Sequence, residues 1–583
     1  MSEDRALAPG SPARLALVWG SLWGAALGLV FLGPAVTATR HFDVEIWWQW
    51  GVVAAYLALL FALLGGVLGL FGCLPLALWF RIRPPRDLDR ALALGALGIL
   101  PILYCAVGWV CQEATPGPKN TISRYPADAH AMVLTSIAWA GVVGFVGSWR
   151  HAVSSRAIAR AAVLAMVLGA AAIPFHGVRG EIASRPAVPA VPRRLKTRPL
   201  LFVGLDGASW KTLRPLLDRG ALPTFAALAE RGIRGEVAAI WPPFWSAAAW
   251  AAIVSGKDRE ETQIYEDLAE HPPWPMPEFQ INLTSSFELD PVTVTELIAS
   301  GFCGARLGKP SRHALHAVPF WEIANHAGVN AAVVRMPFTD PAAGQARTII
   351  SDAAGQDEWS LIGSMPRVGP GLAWPPARER ALLAPFRTDA ESVTLSSFVP
   401  NPKRPKPADA RVDSFRVLEI SLRIDQQTLR AAAAILRDDP SVELLALYLG
   451  GLDEVGHAFF QYRFPNEFPA SPPAAEDVAE LGSTIDRYWQ FLDGELGRLL
   501  QGFPNSPNVI VTADHGMEAT HEIAVWKGWH SRRGGVVIAS GPDIPRSDRS
   551  LSVSYRDIAP TVLDLLGVSS PAQLDGTSLL RAR

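Results

Sequence analysis

Apolar positions in this chain follow one rule before residue 177 and another after it. In the first part they run together: 15–38, 46–80, 91–112 and 131–149 contain no Asp, Glu, Lys or Arg. Each reaches the roughly 20 apolar residues that cross a bilayer as a helix. A fifth run, 157–175, carries only Arg160 near one end, where a long side chain can reach the headgroups. The first run is not a cleavable signal peptide, because it is long and further spans follow it. The pattern predicts a bundle of about five transmembrane helices over residues 1–176.

Beyond residue 198 the apolar runs shorten. PLLFVGL (199–205), AAVVRM (331–336), ELLALYLG (443–450), NVIVTA (508–513) and GVVIAS (535–540) read as strands buried on both faces. Helical spacing lies between them, in LDRGALPTFAALAERG and over 421–438 and 483–501. This alternation predicts an α/β fold over 199–583, a mostly parallel sheet flanked by helices on both faces. Residues 258–320 and 353–415 are Pro-rich and poorly periodic, and are expected to form cap and loop insertions that select substrate. Residues 177–198, rich in Pro and Arg, read as a semi-rigid tether. Its basic cluster Arg193, Arg194 and Lys196 is either solvated or rests on anionic headgroups.

Charge orients the membrane part. With the N-terminus inside, the inner segments hold Arg5, Arg14, Arg81, Arg83, Arg86, Arg90, Arg150, Arg156 and Arg160, against Arg40, Lys119 and Arg124 outside. That bias sets a cytoplasmic N-terminus, and five spans then place everything after residue 177 in the periplasm or outside the cell. Trp47, Trp48 and Trp50 fit an interfacial belt. The first four runs lack mid-membrane ionisable groups, so anchoring is expected rather than transport, with presentation of a lipid substrate as the rival. A net charge of −2 gives no global field toward nucleic acid, and none is expected as a partner. Of four Cys, only Cys303 lies beyond the apolar part, which excludes an internal disulfide and a thiolate metal site there.

The outer part carries the chemistry. Asp206, Asp453 and Asp514 each follow a predicted strand, and ligands of such sheets bind beyond the carboxyl ends of the strands. Asp206-Gly207 alone marks a plain turn as readily as a site. Asp453-x-x-x-His457, Asp514-His515-Gly516 and His530 in GWHSRRGG add to it, and the ordered combination is the signal. Carboxylates and imidazoles suit zinc without any Cys. Two cations ~4 Å apart can hold both oxygens of an in-line displacement. Ser246 heads the helix former AAAWAAIVSG, where the dipole and free N–H groups favour an alkoxide and a phosphate. An ordinary N-cap would use the same position. One hydroxyl, three carboxylates and three imidazoles together predict a two-zinc phosphoryl-transfer site, other divalent metals being compatible.

At these residues the chain resembles the alkaline phosphatase superfamily in its type I phosphodiesterase/nucleotide pyrophosphatase branch. The resemblance covers about 199–575 and rests on LDGASW, LPTFAALAERG, PPFWSAAAWAAIVSGK, PFWEIANHAGVNAAVVRMPFTDP, LDEVGH, TADHGM, HSRRGGVVIASGPDI and DIAPTVLDLLGV, in the family's order. It implies that Asp206, Asp514 and His515 hold one zinc and Asp453, His457 and His530 the other. Ser246 then matches the nucleophile that forms a phospho-serine intermediate. The substrate implied is a phosphate ester, of lipid or envelope origin given the membrane part.

The chain departs from that family where a His-Gly-Ile is usual and it reads KDREETQIYED, which touches loop shape and substrate fit. The Asn of nucleotide-cleaving members has no clear match beyond Asn282, which also opens a glycosylation triplet with Thr284. After Ser246 the chain reads Ala-Ala-Ala-Trp, against the x-Pro-x-Arg of sulfatases. The layout of spans followed by an outer domain is similar to envelope enzymes that move phosphoethanolamine or phosphoglycerol onto a glycan or lipid, which keeps transfer open beside hydrolysis. His313, His316, His326 and His521 lie off the motifs. Trp245, Trp250 and Trp274 read as core or as stacking groups for substrate.

Overall fold

The computed structural model describes residues 12–27, 29, 49–82, 155–176, 186–195, 197–237, 246–265, 268–271, 279–281, 306–355, 371–387, 395–401, 413–520, 527–531, 533–547 and 550–581. The chain divides into two compact units, Met1–Ala183 with Glu270–Arg306, and Ser184–Ala269 with Leu307–Arg583.

In the first unit the helices Pro12–Leu27, Gln49–Ile82 and Ser155–His176 pack on one another. Leu29, Val53, Leu57, Leu60 and Phe61 are buried among them, against Met166 and Ala170. Leu59, Leu63, Val67, Val163, Leu164 and Val167 are exposed. Among the described residues one segment, Gln49–Leu68, is long and apolar enough to cross a membrane. The predicted fifth run does form helix, yet its apolar stretch there, Ala159–Leu168, is shorter than a span. The expected runs 91–112 and 131–149, and the first run beyond residue 29, lie outside the described residues; among the described residues this unit shows three packed helices, one of them with a segment long and apolar enough to cross. Trp50 is buried in the helix packing instead of lying in a belt, and Trp47 and Trp48 are outside the described residues.

The strands are β1 (Leu200–Leu205), β2 (Ile233–Val237), β3 (Leu268–His271), β4 (Phe279–Ile281), β5 (Arg306–Gly308), β6 (Ala331–Val334), β7 (Thr348–Ile350), β8 (Ala373–Trp374), β9 (Leu444–Leu449), β10 (Asn508–Thr512), β11 (Gly516–Ala519), β12 (Gly528–Ser531), β13 (Gly535–Ser540) and β14 (Ser550–Val553). Nine of them form the main sheet of the second unit, in the order β14-β2-β13-β10-β1-β9-β6-β7-β8. β3, β4 and β5 pair separately, within the region expected to form an insertion.

The main sheet is mixed. β10, β1, β9, β6 and β7 are parallel neighbours, while β13 and β8 run against the strands beside them. The expected sheet is mostly parallel, and β13 is one of the strands that depart from it. Between β10 and β13 the chain makes the β11–β12 hairpin, and without a crossover helix a neighbouring strand returns antiparallel.

Alternating side chains of the central strands serve two layers. Leu200, Phe202 and Ala446 pack with the helices Ser246–Ser255, Phe320–His326 and Ile558–Leu565. The helices Ser414–Asp438, Gly451–Arg463 and Thr484–Gln501 pack with one another in a second layer. The first of these begins seven residues before the expected 421, because Asp413 accepts from the N–H groups of Phe415 and Arg416 and caps it there. The helical spacing in LDRGALPTFAALAERG takes in the end of one helix, Trp210–Asp218, and the whole of a second, Pro223–Arg231. Gly220, at φ +69°, and Pro223 make the break.

The described part of the tether lies along this unit. The Arg193 guanidinium makes two hydrogen bonds to Glu443, of 2.9 and 3.1 Å, and Arg193 also bridges to the backbone of Val568. Arg194 reaches Ser569. Two members of the basic cluster are thus held by the protein itself.

Candidate active site

The sheet brings three carboxylates to one end. Asp206 follows β1 directly, Asp514 lies two residues beyond β10, and β9 runs through Gly450 into the helix Gly451–Arg463. That helix carries Asp453 in its first turn and His457 one turn later, on the same face. Because β10, β1 and β9 are parallel neighbours, these positions meet although they are far apart in sequence. The β11–β12 hairpin sets His530 opposite Met517 and stacks its ring on His515 at 3.8 Å. Ser246 is the first residue of the helix Ser246–Ser255.

The ligand atoms fall into two buried groups, Asp206 with Asp514 and His515, and Asp453 with His457 and His530. In the first, His515 Nε2 stands 3.3 Å from both Asp206 Oδ1 and Asp514 Oδ2. In the second, His457 Nε2 stands 3.2 Å from Asp453 Oδ2 and 3.2 Å from His530 Nε2. Asp453 Oδ1 lies between the groups, 3.7 Å from His515 Nε2 and 3.7 Å from His530 Nε2. Ser246 Oγ completes the constellation at 3.3 Å from Asp206 Oδ1 and 3.2 Å from His515 Nε2. Ser246 alone of the seven residues is partly exposed.

Backbone carbonyls orient two of the rings. His457 Nδ1 is 2.8 Å from Gly528 O, and His515 Nδ1 is 2.9 Å from Gly516 O. A carbonyl oxygen only accepts, so each Nδ1 carries a proton and each Nε2 faces the site, where a bound cation would take the place of a second proton. Asp206 is held at its other oxygen. Trp250 Nε1 donates to Oδ2 at 3.2 Å, and the Tyr448 hydroxyl donates to the same atom. Gly207 N donates to Asp514 Oδ1 at 3.2 Å.

Charge in the site is strongly unbalanced. Burial pushes Asp514 well above the usual carboxylate range, and the neighbouring Asp206 charge adds to it. Burial would also raise Asp206, yet hydrogen bonding and charge from His515, with the Tyr448 hydroxyl, hold it well below. Burial opposes a charge on His515, but Asp514, Asp206 and Asp453 outweigh it and push the imidazole up to about 10. Glu454 is pushed up to about 8 by burial and by Asp453. Asp453 Oδ1 and Asp514 Oδ2 are buried with no hydrogen-bond partner among the described residues. Three buried carboxylates, three imidazole Nε2 atoms turned into the site and these two oxygens fit the binding of divalent metal ions, whose charge would replace the protons the imidazoles otherwise hold.

Sequence reading missed Tyr448 and the polar role of Trp250. Trp250 is 1% exposed, so it does not offer a face to substrate; its indole N–H serves Asp206. The signal for Tyr448 was a lone hydroxyl at the next-to-last position of an otherwise apolar strand. His313, His316 and His326 belong to neither group. His521, Asn282, Trp245, Trp274 and Cys303 lie outside the described residues.

No curated protein matches the chain. Among solved structures it is similar to wild-type alkaline phosphatase PafA, at 12% identity over 67% of this chain and 99% of that one, with a TM-score of 0.38. It is similar to murine ectonucleotide pyrophosphatase/phosphodiesterase 5 in an inactive form with AMP, at 14% identity over 64% and 96%, TM-score 0.35. It is similar also to phosphonoacetate hydrolase from Sinorhizobium meliloti 1021, at 17% identity over 58% and 61%, TM-score 0.30. Over residues 200–562 the sequence matches the family model for type I phosphodiesterase / nucleotide pyrophosphatase. Matched across more than half its length, the chain belongs to the type I phosphodiesterase / nucleotide pyrophosphatase family, and is a phosphoester hydrolase.

Proposed function

We propose that the protein is a membrane-anchored phosphodiesterase that cleaves a phosphate ester through a covalent intermediate on Ser246, in a site that holds two zinc ions. The observation that carries this reading is the position of Ser246 Oγ, 3.2 Å from His515 Nε2 and 3.3 Å from Asp206 Oδ1. Asp206, Asp514 and His515 would hold one cation, and Asp453, His457 and His530 the other. When bound, the pair supplies positive charge for the attacking and departing oxygens.

This chain's own residues do the rest. Asp206 and His515 orient the Ser246 hydroxyl, and the start of the helix Ser246–Ser255 favours both its alkoxide and the phosphoryl group. Ser246 Oγ gives up its proton and bonds to phosphorus as the bond to the departing oxygen breaks, and that oxygen takes up a proton to leave as the alcohol. Water then attacks phosphorus, and the Ser246 O–P bond breaks to restore the hydroxyl.

The exposed leucines and valines of the helical unit and the long apolar segment Gln49–Leu68 support embedding in lipid. The bias of basic residues supports several spans and a catalytic unit outside the cytoplasm. An ester carried by a lipid or by an envelope component fits that setting.

The test is to strip the full-length protein with a chelator and assay it against chromogenic mono- and diesters before and after zinc is returned. Loss and recovery of diester hydrolysis is expected. Full turnover in the stripped protein would overturn the reading, and headgroup found on a glycan or lipid acceptor would show transfer instead of hydrolysis.

A further inference from the structure

The helix that brings Asp453 and His457 to the site does not cap itself. Its N-cap residue is Gly450, with no side chain to accept from the first N–H groups. An acceptor arrives from a distant helix. Asp425 Oδ2, on Ser414–Asp438, accepts from Gly451 N at 3.2 Å and from the Tyr488 hydroxyl at 2.8 Å. Both partners are sealed from solvent, Asp425 at 1% exposure and Tyr488 at 0%. A carboxyl group buried so deeply is costly unless hydrogen bonded.

Gly451 is what lets this pair approach. A Cβ there would stand 1.7 Å from the Tyr488 hydroxyl oxygen and 2.6 Å from Asp425 Oδ2. The second glycine of GGLDEVGH is therefore a place where two side chains meet a helix start, and no larger residue fits without moving them. Asp453 lies two residues further on, within the same turn.

The geometry points to Asp425 as a positioning residue: with Tyr488 it fixes the first turn of the helix Gly451–Arg463, and through that turn the placement of Asp453 and His457 toward a divalent cation. The inference rests on the reading above that Asp453, His457 and His530 hold one. Asp425 acts through the Gly451 N–H, and a carboxyl oxygen at a helix N-terminus also sits at the favourable end of the dipole.

The experiment uses the full-length protein and the variants Asp425→Ala, Asp425→Asn and Tyr488→Phe. Each is stripped of metal, titrated with zinc, and challenged with a chelator; amide hydrogen exchange is followed in the stripped form. In Asp425→Ala one of the two zinc sites is expected to lose affinity about 10–100-fold, as on removal of an outer-shell partner, with the other unchanged. Amides at 451–453 should exchange at least about tenfold faster while β1 and β10 keep their protection. Asp425→Asn keeps the acceptor oxygen and should restore both readouts. Tyr488→Phe should shift them in the same direction as Asp425→Ala by less, and decides the matter if Asp425→Ala fails to fold. Unchanged exchange and unchanged zinc affinity in a folded Asp425→Ala would overturn the inference. A wild type that takes up no zinc overturns the two-cation reading instead, and the exchange comparison in stripped protein still decides the role of Asp425.

Discussion

Gly207 sits so close to Asp453 that a Cβ added to it would lie 2.7 Å from the Asp453 Cα. Its φ of +64° is in the left-handed region that favours glycine, and its N–H donates to Asp514. One residue therefore spaces all three acids: it follows Asp206 in the chain, touches the backbone under Asp453 and tethers Asp514. Gly207→Ala must push the helix Gly451–Arg463 away from β1. A loss of about 1–3 kcal/mol in stability is expected, with kcat/KM reduced at least tenfold. Thermal melting and steady-state kinetics check both; wild-type values in the variant would contradict the close approach.

Tyr448 and Trp250 share the outer oxygen of Asp206. Burial and the Asp206 charge raise the Tyr448 hydroxyl well above its usual range, so it remains a donor at every working pH. Tyr448→Phe keeps the ring in place against Trp250, from which its centroid lies 5.3 Å, and removes one of two donors. The fold should hold to within about 1.5 kcal/mol, while zinc affinity at the Asp206 group falls about 10–100-fold. Chelator competition measures this directly.

Asp425 is the residue whose titration should be visible in stability. Burial pushes its carboxyl from 3.8 up to about 7, although the Tyr488 hydroxyl, Arg335 and the backbone at 450–451 pull the other way. The folded value lies above the unfolded one, so the native state holds the proton more tightly. Its contribution is fully present below about pH 4 and is lost as pH rises toward 7. Asp425→Asn has no such proton, so its stability relative to wild type should climb through that window, by up to about 1.4 kcal/mol per pH unit. Melting of the metal-stripped protein from pH 4 to 8 tests it; parallel curves for the two proteins would contradict the buried carboxyl.

The sequence was legible where one local rule governed a segment. The apolar runs at 199–205, 443–450, 508–513 and 535–540 all became strands within a residue at either end, because strands buried on both faces need no alternation. β2, reading IRGEV, and the β11–β12 hairpin carry too few apolar residues to announce themselves, and the direction of β13 depends on that hairpin. The seven candidate site residues could be picked out only by their ordered combination, since an aspartate or serine at a strand end or helix start is by itself an ordinary turn or cap. What supports them could not. Asp425 looks like any polar position on the amphipathic helix Ser414–Asp438, and only packing shows that it lies beneath Gly451. Trp250 looked like core, which it is, and its indole N–H acquires a task only once the helix Ser246–Ser255 is laid against β1 and β9. In the helical unit the apolar runs 46–80 and 157–175 coincide with helices Gln49–Ile82 and Ser155–His176, of which, among the described residues, only the first carries a segment, Gln49–Leu68, long and apolar enough to cross a bilayer.

The proposed chemistry turns on Ser246 forming a bond to phosphorus. Full-length protein supplied with zinc should be mixed with a chromogenic aryl phosphodiester, quenched in acid during turnover, digested and examined by mass spectrometry. We predict a phosphoryl ester on the peptide that contains Ser246, and in Ser246→Ala no adduct with turnover lowered at least about 10³-fold. Undiminished hydrolysis by Ser246→Ala, with no adduct on the wild-type peptide, would contradict it.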